Sequence, residues 1–347
     1  MVRADANAQI GIGHVMLCLA LAQAWQGTGG QVLFVLAMEA PALEARLKSE
    51  GIEVTCLSVR TGKPDDAIQT ADLARQMEAA WTVLDGYHFG ADYQRIIKES
   101  GLRLLAIDDN GHADHYYADV VLNQNIHAHK HLYRNREPYT QLLLGTDYVL
   151  LRREFLRWRG WKRQLPEVGR RVLVTLGGGD PDNVTLKVIR ALQQIDVDSL
   201  EAVVVVGGSN PHYGELRDAV QDSKLAIRVE KCATDMPPLM AWADIAVSAG
   251  GSTCWELAFM GVPSAILVLA RNQERVVQML AQRDSFLSLG QAPDARVESI
   301  AQVLTTLALD RQMRQTLEGN GRLLVDGLGA SRVAESLTKI WFRKGIG

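Results

Sequence analysis

The stretch DIAVSAGGSTCWELAFMGVP (residues 244–263) shows how this chain is built. An apolar run leads into Gly250 and Gly251, and a helix is predicted to begin at Ser252 or Thr253. Two glycines let the backbone approach a ligand closely, and the free N–H groups of a first helical turn attract an anion. The alternative is a strand-to-helix turn that binds nothing, closed by a capping box between Thr253 and Glu256.

The same alternation of short apolar runs and amphipathic stretches extends over the whole chain. After a very short first strand, we predict strands at 31–37, 52–59, 81–85, 102–108, 118–123, 170–178, 200–208, 226–233, 244–251 and 263–270. Nearly continuous apolar strands separated by helices are typical of parallel sheets covered on both faces. The Arg- and Trp-rich segment 151–169 interrupts the rhythm and is the predicted boundary.

This pattern predicts an α/β protein of two doubly wound, Rossmann-like domains facing each other across a cleft. We assign residues 1–160 to the N-terminal domain and residues 161–347 to the C-terminal domain with its terminal helices. Ligands of open α/β sheets bind beyond the carboxyl ends of the strands, so the loops that follow the strands are the candidate site.

Composition limits the classes of partner. The chain has 347 residues, 47% hydrophobic and 22% charged, with a net charge of −3 spread along its length. No basic block indicates a nucleic acid, and no apolar run reaches the length of a membrane span. The N-terminal MVRADANAQ carries charges where a signal peptide needs an apolar core, and the four cysteines lack zinc-site spacing. We therefore predict a cytoplasmic protein with a small-molecule partner. Its oligomeric state stays open, with a monomer favoured.

The C-terminal half is the predicted nucleotide site. Besides 244–263, three loops follow strands on the same sheet edge: LGGGDPDN (176–183) with Gly178, Asp180 and Asn183, VVVVGGSNP (203–211), and VLARNQ (268–273) with Asn272 and Gln273. Four glycine- or amide-bearing loops suit a nucleoside diphosphate better than a set of inert turns. Glu256, one turn into its helix, is within reach of a ribose diol.

The N-terminal half carries the predicted chemistry in IGIGHVMLCLA (10–20). Gly11 and Gly13 lack the third glycine of a dinucleotide fingerprint, because Met16 stands there, and no P-loop motif exists in the chain. We therefore predict them as substrate-binding residues that leave space for His14 and a water beside the sugar. His14 should lie at the start of a helix, where the dipole favours the neutral imidazole that a general base needs. The alternative is a histidine that caps the helix or fills the loop.

Polar residues also end the neighbouring strands. Asp5 is predicted to orient the His14 imidazole or to bind a sugar hydroxyl, and Tyr87 to hydrogen-bond or stack on a sugar. Further candidates follow other strands: Asp85, Asp108, Asp109 and Asn123, the last as a substrate-binding residue. At least one of Asp108 and Asp109 is expected to be a satisfied strand-end cap.

Three histidines in NIHAHKHLY raise the question of a metal. His127, His129 and His131 have no carboxylate in a recognisable ligand pattern, so we interpret them as surface residues. Neither a metal nor a cofactor is predicted.

Several motifs, taken together, resemble one family. RADANAQIGIGHVMLCLALA, LDGYHF, IDD, VLNQN, LGGGDPDN and SAGGSTCWELAFMGVPSAILVLARNQ occur in matching order from residue 2 to about 285. They are similar to the bacterial UDP-2,4-diacetamido-2,4,6-trideoxy-β-L-altropyranose hydrolases of pseudaminic acid biosynthesis. The resemblance implies the GT-B architecture and a metal-independent hydrolysis, in which water attacks the anomeric carbon and UDP leaves.

The resemblance also implies roles for particular residues. His14 would activate the water, Tyr87 and Asn272 would contact the substrate, Gly250–Thr253 would hold the pyrophosphate, and Glu256 the ribose. The family usually reads Gly-His-x-x-Arg-Cys, and here Leu17 precedes the cysteine, which leaves a related nucleotide sugar open. Two alternatives also stay open: a GT-B glycosyltransferase using a UDP-sugar donor, and an inactive nucleotide-sugar-binding homologue.

Overall fold

The computed structural model describes residues 1–6, 12–38, 40–208, 210–233 and 235–343, and it separates into two compact units. The first unit contains Met1–Arg153 together with the chain from Gly327 onward. The second unit is Glu154–Asp326.

The first unit is built on a seven-stranded parallel sheet. Its strands are β1 (Val2–Ala4), β2 (Leu33–Leu36), β3 (Glu53–Cys56), β4 (Thr82–Asp85), β5 (Leu104–Ile107), β6 (Val120–Asn123) and β7 (Gln141–Leu144), in the order β3-β2-β1-β4-β5-β6-β7. The helices between them are α1 (Gly13–Gly27), α2 (Pro41–Ser49), α3 (Pro64–Gln76) and α4 (Ala91–Glu99), with 3-10 turns at Lys130–Tyr133 and Thr146–Tyr148.

The second unit repeats this plan with six parallel strands, after a short helix α5 (Arg153–Leu156) at the boundary. The strands are β8 (Arg171–Thr175), β9 (Glu201–Val206), β10 (Ala226–Lys231), β11 (Ile245–Ala249), β12 (Ser264–Val268) and β13 (Leu287–Gln291), in the order β10-β9-β8-β11-β12-β13. The helices are α6 (Val184–Leu192), α7 (Tyr213–Gln221), α8 (Met236–Trp242), α9 (Thr253–Met260), α10 (Glu274–Gln282), α11 (Val297–Leu309) and α12 (Arg311–Arg322), with a 3-10 turn at Arg271–Gln273.

The final helix, α13 (Gly329–Arg343), corrects the predicted domain boundary. It packs on α1 in the first unit through a buried apolar stripe that includes Val333 and Leu337. At its start, Gly329 permits a close approach to the backbone of the first unit, because a Cβ there would lie 2.2 Å from the Val149 carbonyl oxygen. The predicted assignment of 161–347 to one domain is therefore wrong at its end, and a local helical pattern cannot indicate which sheet a helix covers.

Two strands of the structure have no counterpart in the sequence prediction. β7 and β13 are the last strands at the edges of their sheets, and each is half exposed. Edge strands pair on one side and need fewer apolar residues, so the run of buried residues that indicates a parallel strand is weak in both.

Candidate functional site

Each sheet has a point where the order of the strands reverses. The reversal lies between β1 and β4 in the first unit and between β8 and β11 in the second. Open α/β sheets bind ligands at the carboxyl ends of the strands at this point, because the adjacent loops diverge there. In the first unit these ends lead to His14 and to Asp85–Tyr87, and in the second to 176–183 and 250–253.

His14 forms a dyad with Asp85 in the first unit. The two side chains meet at 2.7 Å, from Nδ1 of His14 to Oδ1 of Asp85, and the imidazole remains 22% exposed. Binding of Nδ1 fixes the ring and leaves Nε2 for a ligand, since Nε2 has no partner among the residues described. Asp85 is the last residue of β4, and His14 is the second residue of α1, which follows β1, so the neighbouring strands bring the pair together.

The charge of His14 differs from the prediction. The negative charge of Asp85 outweighs burial and, together with its hydrogen bond, raises the pKa of His14 to about 9. The imidazole is therefore protonated at neutral pH, and the predicted neutral form is wrong because an ion pair at 2.7 Å exceeds the effect of a helix dipole.

Cys18 donates a second hydrogen bond to the Asp85 carboxylate. Its buried thiol, one turn after His14 on α1, donates to Oδ2 of Asp85 at 3.5 Å. Burial raises the pKa of Cys18 well above its ordinary value, with the nearby Asp85 charge adding to the effect, so the sulfur remains a thiol donor. One helix thus contacts both oxygens of the carboxylate, through side chains at i and i+4.

Asp5 does not have the role predicted for it. Its Oδ1 accepts from Arg3 at 2.7 Å and from the Ala37 N–H at 2.8 Å, and its Oδ2 lies 3.4 Å from His88 Nε2. Burial opposes ionisation, but His88 and Arg3 hold the pKa of Asp5 below its usual range. Asp5 therefore stabilises a buried charge network instead of orienting His14.

The physical reason is the alternation of side chains along parallel strands. Ala4 pairs with Asp85 in register, so their side chains point to the face that α1 covers. Asp5 is one residue further along and points to the opposite face, where Arg3 binds Asp66 of α3 through two bonds of 3.0 Å.

Tyr87 lies between two histidines. Its ring contacts His14 and His112 edge-on, with ring centroids 5.6 Å apart in each case. Its hydroxyl donates to Oδ2 of Asp109 at 2.6 Å, and burial raises the pKa of Asp109 above its ordinary value despite this bond. Tyr87 is 44% exposed, as a residue that contacts a sugar needs to be.

Asp108 confirms the predicted strand-end cap. Its Oδ1 accepts from the N–H groups of Asn110 at 2.7 Å and Gly111 at 2.6 Å, and Tyr116 donates to Oδ2 at 2.5 Å. Oδ2 also lies 2.6 Å from Nδ1 of His112, a residue that the sequence analysis missed. Burial opposes ionisation, yet His112 and Tyr116 lower the pKa of Asp108 to about 2.

Asn123 is not placed to bind substrate, and that prediction is wrong. The side chain is fully buried, with Nδ2 donating to the Tyr133 hydroxyl at 2.8 Å and Oδ1 accepting from the Asn125 N–H at 2.9 Å. Of the predicted glycines, Gly13 is the exposed first residue of α1, whereas Gly11 lies outside the described residues.

The second unit has a glycine turn at the end of β11. Gly250 is required by packing, because a Cβ there would lie 2.5 Å from Val277 Cγ2 and 2.9 Å from Gln273 Cβ. A Cβ at Gly251 would find no heavy atom of the described chain within 4 Å. Helix α9 begins at Thr253, and its N-cap residue Ser252 makes no side-chain cap bond within the described part of the chain. This open helix start is suited to an anion.

The loop after β8 is held in place by hydrogen bonds between its own Asp180 and the helix that follows. Both oxygens of Asp180 accept from the first turn of α6, at 2.9 Å from the Val184 N–H and 2.8 Å from the Thr185 N–H. Asp180 is therefore a buried helix cap, and its predicted contact with substrate is not supported by its position. Gly178 lies directly against Gly207, where a Cβ would be 2.0 Å from the Gly178 carbonyl oxygen. The glycines of two loops thus touch.

The remaining predicted residues of this unit lie beside the same sheet edge. Asn183 donates from Nδ2 to Glu215 at 2.8 Å and precedes α6 in a left-handed conformation. Oε1 of Gln273 accepts from the Leu269 N–H at 2.9 Å and closes the turn that carries the exposed Asn272. Glu256 is half-buried in the first turn of α9.

Two features of the described residues concern metal ions and membranes as partners. Across the described ranges, no group of three or more His, Cys, Asp or Glu residues is arranged to hold a metal ion. His129 and His131 are exposed, as predicted, and stack on each other with centroids 4.5 Å apart. The predicted surface position is wrong for His127, which is buried with Nε2 2.9 Å from the Asp109 carbonyl oxygen. None of the helices in the described part of the chain combines the length and apolar character that crossing a bilayer requires.

Comparison with known proteins gives the fold and distant relatives. Residues 172–320 match the glycosyltransferase family 28 C-terminal domain. The chain is 27% identical over 252 residues to the spore coat polysaccharide biosynthesis protein SpsG of Bacillus subtilis, covering 72% of this chain and 73% of that protein. It is also 27% identical over 236 residues to the Helicobacter pylori pseudaminic acid cytidylyltransferase and UDP-2,4-diacetamido-2,4,6-trideoxy-β-L-altropyranose hydrolase. That match covers 66% of this chain and 40% of the H. pylori protein.

Solved structures share the architecture over nearly the full length. Acinetobacter baumannii MurG superposes with a TM-score of 0.66 at 16% identity, covering 97% of this chain and 98% of that one. Anabaena Alr3699/HepE in complex with UDP-glucose gives 0.63 at 15% identity, covering 97% and 99%. The chain therefore has a GT-B-like fold, with distant relatives in spore coat and pseudaminic acid biosynthesis.

Proposed function

We propose that the protein hydrolyses a UDP-linked 2,4-diacetamido-2,4,6-trideoxyhexose to UDP and the free sugar, in a metal-independent reaction of pseudaminic-acid-type nonulosonate biosynthesis. The observation that carries the proposal is the His14–Asp85 dyad at the point where the first sheet reverses its strand order. The resemblance of the motifs and the H. pylori relative, whose name includes this hydrolase activity, support the choice of substrate.

In this reaction, deprotonated Nε2 of His14 takes a proton from water while the water oxygen bonds to the anomeric carbon. The bond from that carbon to the nucleotide oxygen breaks, and its electron pair leaves with UDP. Asp85 keeps Nδ1 protonated and stabilises the imidazolium that forms. One proton therefore moves from water to Nε2, and the positive charge of the imidazolium is paired with the carboxylate of Asp85. Tyr87, edge-on to His14, contacts the sugar.

The second unit binds the leaving group in this proposal. The open turn at Gly251 and the start of α9 hold the pyrophosphate through backbone N–H groups, and Glu256 accepts from the ribose hydroxyls. UDP is a good leaving group, so tight binding of its developing charge and one base can supply the catalysis.

A glycosyltransferase is the second candidate, favoured by the glycosyltransferase family 28 match at residues 172–320. His14 would then deprotonate a hydroxyl of an acceptor instead of water. Incubation with the UDP-diacetamido sugar alone separates the two. UDP release without acceptor, lost in His14→Ala, is the expected result, whereas release that requires an added acceptor would refute the hydrolase. A protein that binds UDP but releases none with any acceptor would be the inactive homologue.

A further inference from the structure

The Arg- and Trp-rich segment that follows the first sheet along the chain is not used by the proposed function. Residues 151–164 contain six Arg or Lys residues and one carboxylate, in a chain whose net charge is −3. The segment is therefore a local excess of positive charge in a protein that is negatively charged as a whole.

Three cations of this segment are exposed and unpaired. The side chains of Arg157, Arg159 and Lys162 are open to solvent, and none makes an ion pair or a side-chain hydrogen bond with another described residue. Arg153, by contrast, lies 3.8 Å from Glu50. The charge of the three unpaired side chains is available to an external anion.

Two tryptophans lie among these cations. Trp158 and Trp161 are half-buried and meet edge-on, with ring centroids 5.3 Å apart. Neither indole N–H has a hydrogen-bond partner in the described ranges, and neither is among the buried polar atoms there, so both reach solvent. An indole whose body is packed and whose N–H is wet is typical of a residue at a lipid–water interface.

The turn that carries these side chains is held in place. The backbone N–H of Trp161 donates to the Trp158 carbonyl oxygen at 3.0 Å. The guanidinium groups of Arg163 and Arg322 lie over the Trp161 ring, 5.0 and 5.7 Å from its centroid. Arg163 also donates to the Met240 carbonyl oxygen in α8 at 2.5 Å. Because the surface is formed before a partner arrives, little conformational entropy is lost on binding.

The geometry of the tryptophans favours a lipid surface over a nucleic acid. Single-stranded nucleic acids stack their bases on open aromatic faces. The ring of Trp161 has two guanidinium groups over it, and Trp158 meets it edge-on. Cations next to partly exposed tryptophans instead match an anionic bilayer, where the cations meet headgroups and the indoles lie at the boundary with the acyl chains.

We propose that an Arg/Trp surface binds the second unit to a bilayer that carries anionic phospholipid headgroups. This surface consists of Arg157, Trp158, Arg159, Trp161 and Lys162. The cations contact headgroup phosphates, and the indole N–H groups bond to oxygens at the interface. The inference goes beyond the proposed function and does not depend on it, because none of these residues belongs to the candidate site of either unit.

Vesicle cosedimentation of the full chain tests the proposal. One set of vesicles contains phosphatidylcholine alone, and the other also contains phosphatidylglycerol. The test variant combines Arg157→Gln, Arg159→Gln and Lys162→Gln, which removes the charge and keeps polar side chains. Trp158→Ala tests the contribution of an indole.

A matched control removes the same charge elsewhere in the second unit. It combines Arg190→Gln, Lys224→Gln and Arg296→Gln, three exposed cations that also lack side-chain partners among the described residues. A single-stranded oligonucleotide, added in place of the vesicles, is the alternative polyanion.

The wild type should bind the anionic vesicles about a hundredfold more tightly than the neutral ones, because each cation near such a surface contributes about fivefold. Binding should weaken as the salt is raised from about 0.1 M to about 0.5 M. The test variant should lose most of the hundredfold preference, and the matched control should keep it within about fivefold. Trp158→Ala should weaken binding and retain the preference for anionic vesicles.

Three results would overturn the inference: no binding of the wild type to anionic vesicles, an equal loss in the test variant and the matched control, or unchanged binding in Trp158→Ala. Tighter binding of the oligonucleotide, lost in the same test variant, would also overturn it, because the surface would then bind nucleic acid. If Trp158→Ala does not fold, the comparison of the test variant with the matched control decides. UDP release is measured separately, so a failure here is distinguishable from a failure of the proposed function.

Discussion

Replacing Asp85 with Asn tests the central structural assignment, because the change removes a charge and keeps the size of the side chain. The difference between the ordinary imidazole pKa of 6.5 and the value of about 9 for His14 corresponds to about 3 kcal/mol of interaction with the charged ring. Asp85 is the first cause of this difference, with burial acting against it. In Asp85→Asn, the pKa of His14 should therefore fall by about 2 or more, to its ordinary value or below.

Titration of the His14 ring resonances by NMR measures this directly and needs no substrate. Asp5→Asn is the matched control, since Asp5 is equally buried but faces Arg3 and His88 on the other side of the sheet. His14 should titrate near pH 9 in the wild type and in Asp5→Asn, and well below that in Asp85→Asn. A pKa near 6.5 in the wild type, or a larger change in Asp5→Asn than in Asp85→Asn, would refute the assignment.

Four further results are expected. The rate of UDP release should rise with pH and level off near 9, because at pH 7 only about 1% of His14 is in the basic form; a profile flat from pH 7 to 9 would argue against His14 as the base. The interaction of the charged His14 ring with Asp85 stabilises the fold. This stabilisation is complete below pH 6.5 and is lost as pH rises through about 9. Denaturant unfolding should therefore show that His14→Gln lowers the free energy of unfolding by about 3 kcal/mol more at pH 6 than at pH 10. Gly250→Ala should lower the free energy of unfolding by about 1–3 kcal/mol, because its Cβ clashes with Val277. Gly251→Ala should leave stability unchanged and weaken UDP binding, which calorimetry measures. Equal stability of the two variants would contradict the packing argument. Asp180→Ala should lower the free energy of unfolding by about 1–2 kcal/mol, because the first turn of α6 loses its cap. Denaturant unfolding of the variant and the wild type measures this, and equal stability would contradict the assignment of Asp180 as a cap.

Much of the fold could be predicted from local sequence, because buried parallel strands are nearly continuous apolar runs. Every predicted strand has its counterpart, and helix α9 begins at Thr253 within the predicted choice. The half-exposed edge strands β7 and β13 lack that signal. The position of α13 depends on a contact with the distant α1, which no local pattern contains.

In the candidate site, too, some features follow from the local sequence and others depend on the tertiary structure. The sequence alone determines that His14 starts a helix after a short strand, that glycine turns end the strands of the second unit, and that polar residues cluster at strand ends. Which carboxylate meets which histidine depends on the register between β1 and β4 and on the alternation of side chains, and these assign Asp85, not Asp5, to His14. The charge of the imidazole follows from that contact, since it is set by the distance to a carboxylate and by burial. The tertiary structure alone therefore decides that His14 is protonated at neutral pH and that His112 has a partner in Asp108.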